Sequence, residues 1–295
     1  MNNRIHRLFS LGRLTAIAAN TFTGLTRLKI FYVLLLFALL LIGSSTFMAQ
    51  MTFQQEFQVL KDIGLGAMSL FTSLLAIIAT ARLLPQEIED RTAYTVLAKP
   101  VSRFEYLSGK LLGVLLLLAL SLIAMTALFF VVLALREQSV LSETARQMSA
   151  AAPEQTAEAL QLVRASAFNP NLVSGVAVIY AKGCLLAALT LFVSTFATST
   201  IFTMIVMAFV YFIGHLQSIA REYWLQTNGA SWFTKTFLAI VALIFPDLQS
   251  FNLTDDVVAG NALPLALFLK TLTMGVFYIG FYLALAWTAF FRKEL

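Results

Sequence analysis

Six long apolar runs organise this chain. They cover residues 30–49, 63–84, 111–135, 172–193, 201–220 and 264–291, each close to or above the ~20 apolar residues that a helix needs to cross a bilayer. Ahead of the first run, residues 3–28 carry a helical period. Leu8, Leu11, Leu14, Ala18, Phe22 and Leu25 share one face, and Arg13, Asn20 and Arg27 recur on the opposite one. That is the pattern of a helix lying in the interface with its apolar side down. Residues 237–245 are also apolar but too short to cross, and they run into Pro246-Asp247. They predict a half-helix that enters and returns, a path open only to backbone covered by protein. The uncharged STFATST of 194–200 predicts a tight turn between the fourth and fifth runs. The expected fold is an all-α integral membrane protein with six transmembrane helices. An N-terminal interfacial helix precedes them, and re-entrant half-helices lie in the outer region 221–262.

The polar breaks differ in kind. Residues 85–110, PQEIEDRTAYTVLAKPVSRFEYLSGK, are the densest polar stretch and far longer than a connector needs. Pro85 ends one helix or opens the next. Residues 86–98, free of Gly and Pro, predict a short helix with acids in its first turns, where the helix dipole favours them. Pro100 stops it. Ser102-Arg103-Phe104-Glu105 fits a capping box, so a new helix starts at Ser102, runs along the interface and bends into the membrane near Gly109. At the other end of the third span, residues 136–171 form the longest loop. Its second half predicts a helix from Pro153 to Phe168. Leu160, Val163 and Ala167 make a narrow apolar stripe on it, opposite Glu154, Glu158 and Gln161. So narrow a stripe must pack on something, because short isolated helices are marginal in water. The chain's own outer half-helices, a second copy or another, extracytoplasmic protein would all serve.

Composition agrees with the pattern: 59% of the 295 residues are apolar and 12% charged, against about a quarter charged in soluble domains. The bases are distributed unevenly. With the N-terminus inside, the inner segments hold twelve, Arg4, Arg7, Arg13, Arg27, Lys29, Arg82, Arg91, Lys99, Arg103, Lys110, Arg292 and Lys293. The outer segments hold six, Lys61, Arg136, Arg146, Arg164, Arg221 and Lys235. The positive-inside rule then places both termini in the cytoplasm. The N-terminal stretch is basic and interrupted, unlike a cleavable signal. The one cysteine, Cys184, excludes an intramolecular disulfide.

Little in the sequence suggests catalysis. The nearest string to a nucleotide-binding loop is Ser108-Gly109-Lys110-Leu111. Phe104 stands where the first glycine belongs, Leu111 where a Ser or Thr belongs, and a membrane span follows. ATP and Mg²⁺ are therefore not expected on this chain. Two histidines, no paired carboxylates in a span and no basic–aromatic patch give no hydrolase, redox or nucleic-acid constellation. Lys182 and Lys270 fall inside predicted spans, where a charge is costly and marks an interior or pathway position. Lys270 is close enough to its span's end to snorkel outward. Lys182 lies nearer the middle and needs a carbonyl, a hydroxyl or a substrate as partner.

The order of residues in 85–110 resembles the signature of ATP-binding cassette (ABC) type-2 permeases. Glu87 and Glu89 lead into Arg91-Thr92, followed by Leu97-Ala98-Lys99-Pro100-Val101-Ser102-Arg103 and then Gly109-Lys110 at the head of a span. Asn20-Thr21-Phe22, Arg27, Phe31-Tyr32 and Lys61-Asp62-Ile63-Gly64-Leu65 look like the branch of multi-copper-enzyme-maturation permeases. The second half is similar mainly in topology and in Phe245-Pro246-Asp247-Leu248. Arg91 departs from the glycine that many relatives have. The resemblance implies a single permease domain over 1–295 in a bacterial inner membrane. Residues 3–28 become an elbow helix and 85–110 a cytoplasmic coupling helix. Glu87, Glu89, Asp90, Arg91, Thr92, Pro100 and Arg103 would then dock on a separate ATPase that carries ATP and Mg²⁺, with two ATPase copies serving a permease dimer. A periplasmic client fits the branch. Met48, Met51 and His215 are soft-ligand types but nothing joins them in sequence, so no metal site is expected. Force transmission to a client without solute transport is an alternative reading. A passive anchor is another. An ion-coupled transporter is a third, and predicts membrane carboxylates or inverted repeats that the sequence lacks.

Overall fold

The structure is a computed structural model that describes residues 10–50, 56–90, 101–148, 153–226, 232–233, 236, 245–252, 257–258 and 264–292. Its helices are α1 (Leu11–Thr26), α2 (Lys29–Gln50), α3 (Glu56–Ala81), α4 (Leu83–Glu89), α5 (Arg103–Gln147), α6 (Pro153–Ala167), α7 (Asn171–Phe196), α8 (Thr200–Gln226) and α9 (Leu265–Arg292). A 3₁₀ turn occupies Gln249–Phe251. Among the described residues there is no strand, and six helical stretches, those of α2, α3, α5, α7, α8 and α9, are long and apolar enough to cross a membrane. The chain is an all-α, six-span protein. We call the end that carries α1, α4 and the start of α5 the foot, and the end that carries Glu56, Arg136 and α6 the head.

α7 is the central post. It packs on α3, α5, α8 and α9. A helix that is apolar on every side has to be surrounded, and every residue from Lys182 to Leu191 is buried. Small residues let its neighbours approach: a Cβ on Gly183 would lie 2.8 Å from Thr72 Cγ2 of α3. The peripheral helices keep one apolar face outward, with Phe37 of α2, Phe209 and Phe212 of α8, and Phe277 and Phe291 of α9 all exposed. Bilayer hydrocarbon solvates surfaces of this kind.

Several expectations are refined here. Of the segment expected as a helix over 86–98, the described part belongs to a helix that begins earlier and runs Leu83–Glu89, with Pro85 in its first turn, where a missing N–H costs nothing. Residues 91–100 lie outside the described ones. α5 continues as one unbroken helix through Gly109 for 45 residues, and α1 packs against that glycine. Residues 136–147 are not loop but the last three turns of α5, which meets neither Gly nor Pro beyond Gly113. The apolar face expected of the elbow helix is the one turned inward, with Ala18 and Leu25 buried and Leu14 and Phe22 half-buried, but it rests on α5, takes in Thr21 as well, and leaves Leu11 68% exposed.

At the head, α6 folds back on α5. Its stripe is turned inward, with Ala167 buried and Leu160 and Val163 half-buried, while Glu154, Glu158 and Gln161 are exposed. Phe168 meets Phe130 of α5 at 6.1 Å between ring centroids. Lys61 Nζ donates to the Ser166 carbonyl at 2.5 Å, and Arg136 Nη2 pairs with Glu56 at 2.5 Å. The chain's own α5 thus covers the stripe. In the outer region, Leu248 N–H donates to Gly214 O of α8 at 3.0 Å, and Pro246, Asp247 and Leu248 are buried. Non-helical backbone therefore lies against the fifth span. Residues 237–244, expected as a half-helix, lie outside the described ones.

Candidate functional site

The foot of α5 is where the chain's polar chemistry converges. It begins with a local preference: Ser102 is extended, its Oγ accepts from Glu105 N–H at 3.1 Å, and Glu105 Oε2 accepts from Ser102 N–H at 2.9 Å. This is the capping box expected from sequence, and it satisfies two otherwise orphan donors of the first turn. Glu105 does more than cap. Its other oxygen, Oε1, accepts from Ser10 N–H at 2.6 Å and from Arg13 Nη2 at 2.9 Å. The carboxylate is 0% exposed, so these charge-assisted bonds stand in for its lost hydration. One side chain thus caps α5 and holds the entry of α1.

The glycines complete that contact. A Cβ on Gly109 would fall 2.9 Å from the Ile17 side chain and 3.1 Å from Leu14 O, and one on Gly113 would fall 2.8 Å from Ala18 O. Gly109 and Gly113 are spaced as G-x-x-x-G, and α1 lies directly on them. Asn20 and Arg27, on the face of α1 turned away, are exposed.

Next, α4 is fastened to α5. Glu87 accepts from Lys110 Nζ and from the Tyr106 hydroxyl, and the Lys110 ammonium sits over the Tyr106 ring, 5.6 Å from its centroid. Lys110 and Tyr106 are buried and Glu87 is half-buried. On the other side, Arg103 Nη1 donates to the Phe290 and Phe291 carbonyls at 2.6 and 2.9 Å, where a cation also complements the C-terminal dipole of α9. Tyr106 stacks on Phe290 at 6.0 Å. Within two turns α5 therefore holds α1, α4 and α9. A cleft of about 350 Å³ opens between α1 and α4, lined by Asn20, Arg27, Arg82, Glu87, Asp90 and Lys110.

The residues singled out from sequence separate accordingly. Glu87 and Arg103 face the bundle and are engaged in it. Glu89 and Asp90 are exposed at the end of α4. Arg91, Thr92 and Pro100 lie outside the described residues. Lys182 is deep in the bundle, 3% exposed, whereas Lys270 is exposed on α9. Sequence reasoning missed Glu105 as the tether of α1, Tyr106 and Lys110 as the partners of Glu87, and the glycine pair. The G-x-x-x-G spacing was legible. The partners of Glu87 and Glu105 were not, because they come from elements 19 to 95 residues away.

A family model described as ABC-2 family transporter protein matches residues 15–295, nearly the whole chain. The chain belongs to the ABC-2 transporter family. It is an ABC type-2 permease, a membrane component of an ABC transporter, and that family works in general with an ABC ATPase. No curated protein matches it. In this permease the polar junction at the foot coincides with the segment that carries the family resemblance.

Proposed function

We propose that this permease converts ATP hydrolysis on a separate ABC ATPase into movement of its spans, for export or for mechanical work across a bacterial inner membrane. The observation that carries this reading is the split character of α4. Its tip, Glu89 and Asp90, is exposed, while its body is tied through Glu87 to Tyr106 and Lys110 of α5. A push on the tip moves α5, and α5 carries α1 and α9 with it. Docking falls to Glu89 and Asp90, with Arg91, Thr92 and Pro100 continuing the surface along the chain. Glu87 and Arg103 transmit. ATP and Mg²⁺ bind on the ATPase, two copies of which serve a permease dimer, and both permease termini are cytoplasmic. Mechanical work on a periplasmic client is supported by the head: α5 runs from foot to head without a break, so displacement at one end reaches the other.

The test separates docking from transmission. Glu89→Lys with Asp90→Lys should cut co-purification of the ATPase at least tenfold. Glu87→Gln should leave co-purification intact and abolish stimulation of ATP hydrolysis by the permease. If the double reversal leaves both readouts unchanged, α4 is a connector and the proposal fails.

A further inference from the structure

The described residues place a second polar cluster far from the foot, inside the bundle. Lys182 is the twelfth residue of α7, about 17 Å along the helix from its head end at 1.5 Å per residue. Its Nζ lies 3.0 Å from His215 Nε2 of α8, 3.4 Å from Ser69 Oγ of α3 and 5.7 Å from the Tyr211 ring centroid. His215 Nδ1 is 2.9 Å from Tyr211 O. A carbonyl only accepts, so Nδ1 carries the hydrogen and the Nε2 lone pair of the neutral ring faces Lys182. Every close partner of the ammonium among the described residues is thus neutral. Among the described residues the ion pairs are Arg13–Glu105, Lys110–Glu87 and Arg136–Glu56, and no carboxylate lies within 4 Å of Lys182. Asp247 is buried within electrostatic range of His215 but makes no ion pair with Lys182.

Two further observations point to a missing partner. Ser69, Thr72, Ser73 and Thr80 fall on one face of α3, and Thr72 is held against Gly183, the neighbour of Lys182. The side-chain oxygen of Thr72, one turn from Ser69, is buried and has no hydrogen-bond partner among the described residues. A buried hydroxyl without a partner is costly, and a buried cation without a counter-charge more so. Both costs are relieved by one kind of guest: an anion that accepts from Lys182 and from hydroxyl groups. The surroundings are apolar: Val178 and Leu185, one turn either side of Lys182 on α7, are buried, and Leu118 comes within 3.5 Å of a Cβ on Gly183. The guest must therefore carry its anionic group on an apolar body.

We propose that Lys182, with Ser69, Thr72 and His215, is an intramembrane binding site for the carboxylate, sulfate or phosphate group of an amphiphile. It is reached when α8 moves away from α3 and α7, and so extends the transport reading above. The amphiphile could enter as a soluble molecule or as an acidic lipid, and the test separates the two.

The experiment uses the permease alone, in phosphatidylcholine nanodiscs, and a diazirine-bearing palmitate as probe, with the matching alcohol and trimethylammonium compounds as controls. Adducts are located by peptide mass spectrometry. The carboxylate probe should label peptides around residues 69–73 and 182 at least tenfold more than either control. Lys182→Met should remove that excess, and Lys182→Arg should keep it. Loss of labelling on adding phosphatidylglycerol identifies a lipid source, and persistence a soluble one; either supports the anion site. Labelling that ignores probe charge, or that survives Lys182→Met, overturns it. Should Lys182→Met not fold, Ser69→Ala with Thr72→Val must lower the carboxylate excess severalfold, and an unchanged excess is equally fatal. Because no ATPase is present, a negative result leaves the docking test untouched, and failure of that test leaves this one interpretable.

Discussion

Glu105 is the residue on which the foot depends most. Its carboxylate is fully buried, so its stability rests on the groups that bond to it. Removing it strips a capping box, worth about 1 kcal/mol, and leaves Arg13 and the Ser10 N–H without their acceptor. A hydrogen bond to a charged group contributes ~1.5–3 kcal/mol, reduced here because the Arg13 side chain is 31% exposed. Glu105→Ala should therefore destabilise the protein by about 2–3 kcal/mol and free α1. Glu105→Gln keeps an acceptor for the Ser102 N–H and should cost about half as much. Thermal unfolding in detergent and tryptic cleavage after Arg13 read the two effects separately. Equal melting temperatures across all three proteins would show that the tether contributes nothing.

At the scale of elements, the contact between α1 and α5 depends on two absent side chains. Gly109 and Gly113 let the backbones meet, and the atoms in the way of a Cβ include the main-chain oxygens Leu14 O and Ala18 O. These cannot rotate aside as a side chain could. Gly113→Leu should cost about 1–3 kcal/mol by overpacking and lift α1 from the bundle, whereas Gly24→Ala, which meets nothing within 4 Å, should leave α1 in place and firm its helix by up to about 1 kcal/mol. Protease accessibility of Arg27 distinguishes them, and identical digestion of both variants would mean that α1 is held by other contacts. The same reasoning explains why α5 stays helical there. A glycine weakens a helix by about 1 kcal/mol, but at Gly109 and Gly113 the neighbouring helix replaces that support.

For the whole molecule, length is informative. α5 has 45 residues, roughly 68 Å at 1.5 Å per residue, more than twice the ~30 Å of bilayer hydrocarbon. Both its ends must project, and the proposed orientation puts the foot in the cytoplasm. In a Cys184→Ser background, Asp90→Cys and Ser142→Cys should react with an impermeant thiol reagent from opposite sides, since both positions are exposed. Labelling of both from one side would refute the orientation. The sequence alone determined the six spans, the capping box at Ser102, the apolar stripe of α6 and the boundary at Pro153. Each depends on periodicity or on groups within a few residues of one another, and the membrane enforces helix over any apolar run of sufficient length. Tertiary structure decided the rest. It turned Glu87 inward, set α1 on a glycine pair of α5, carried α5 unbroken through Gly109 and set Lys182 beside His215, 33 residues away. A charge on a short helix reads the same in sequence whether it docks on a partner or bonds to a neighbour. Which of these it does depends on packing between distant helices, and no local pattern encodes that.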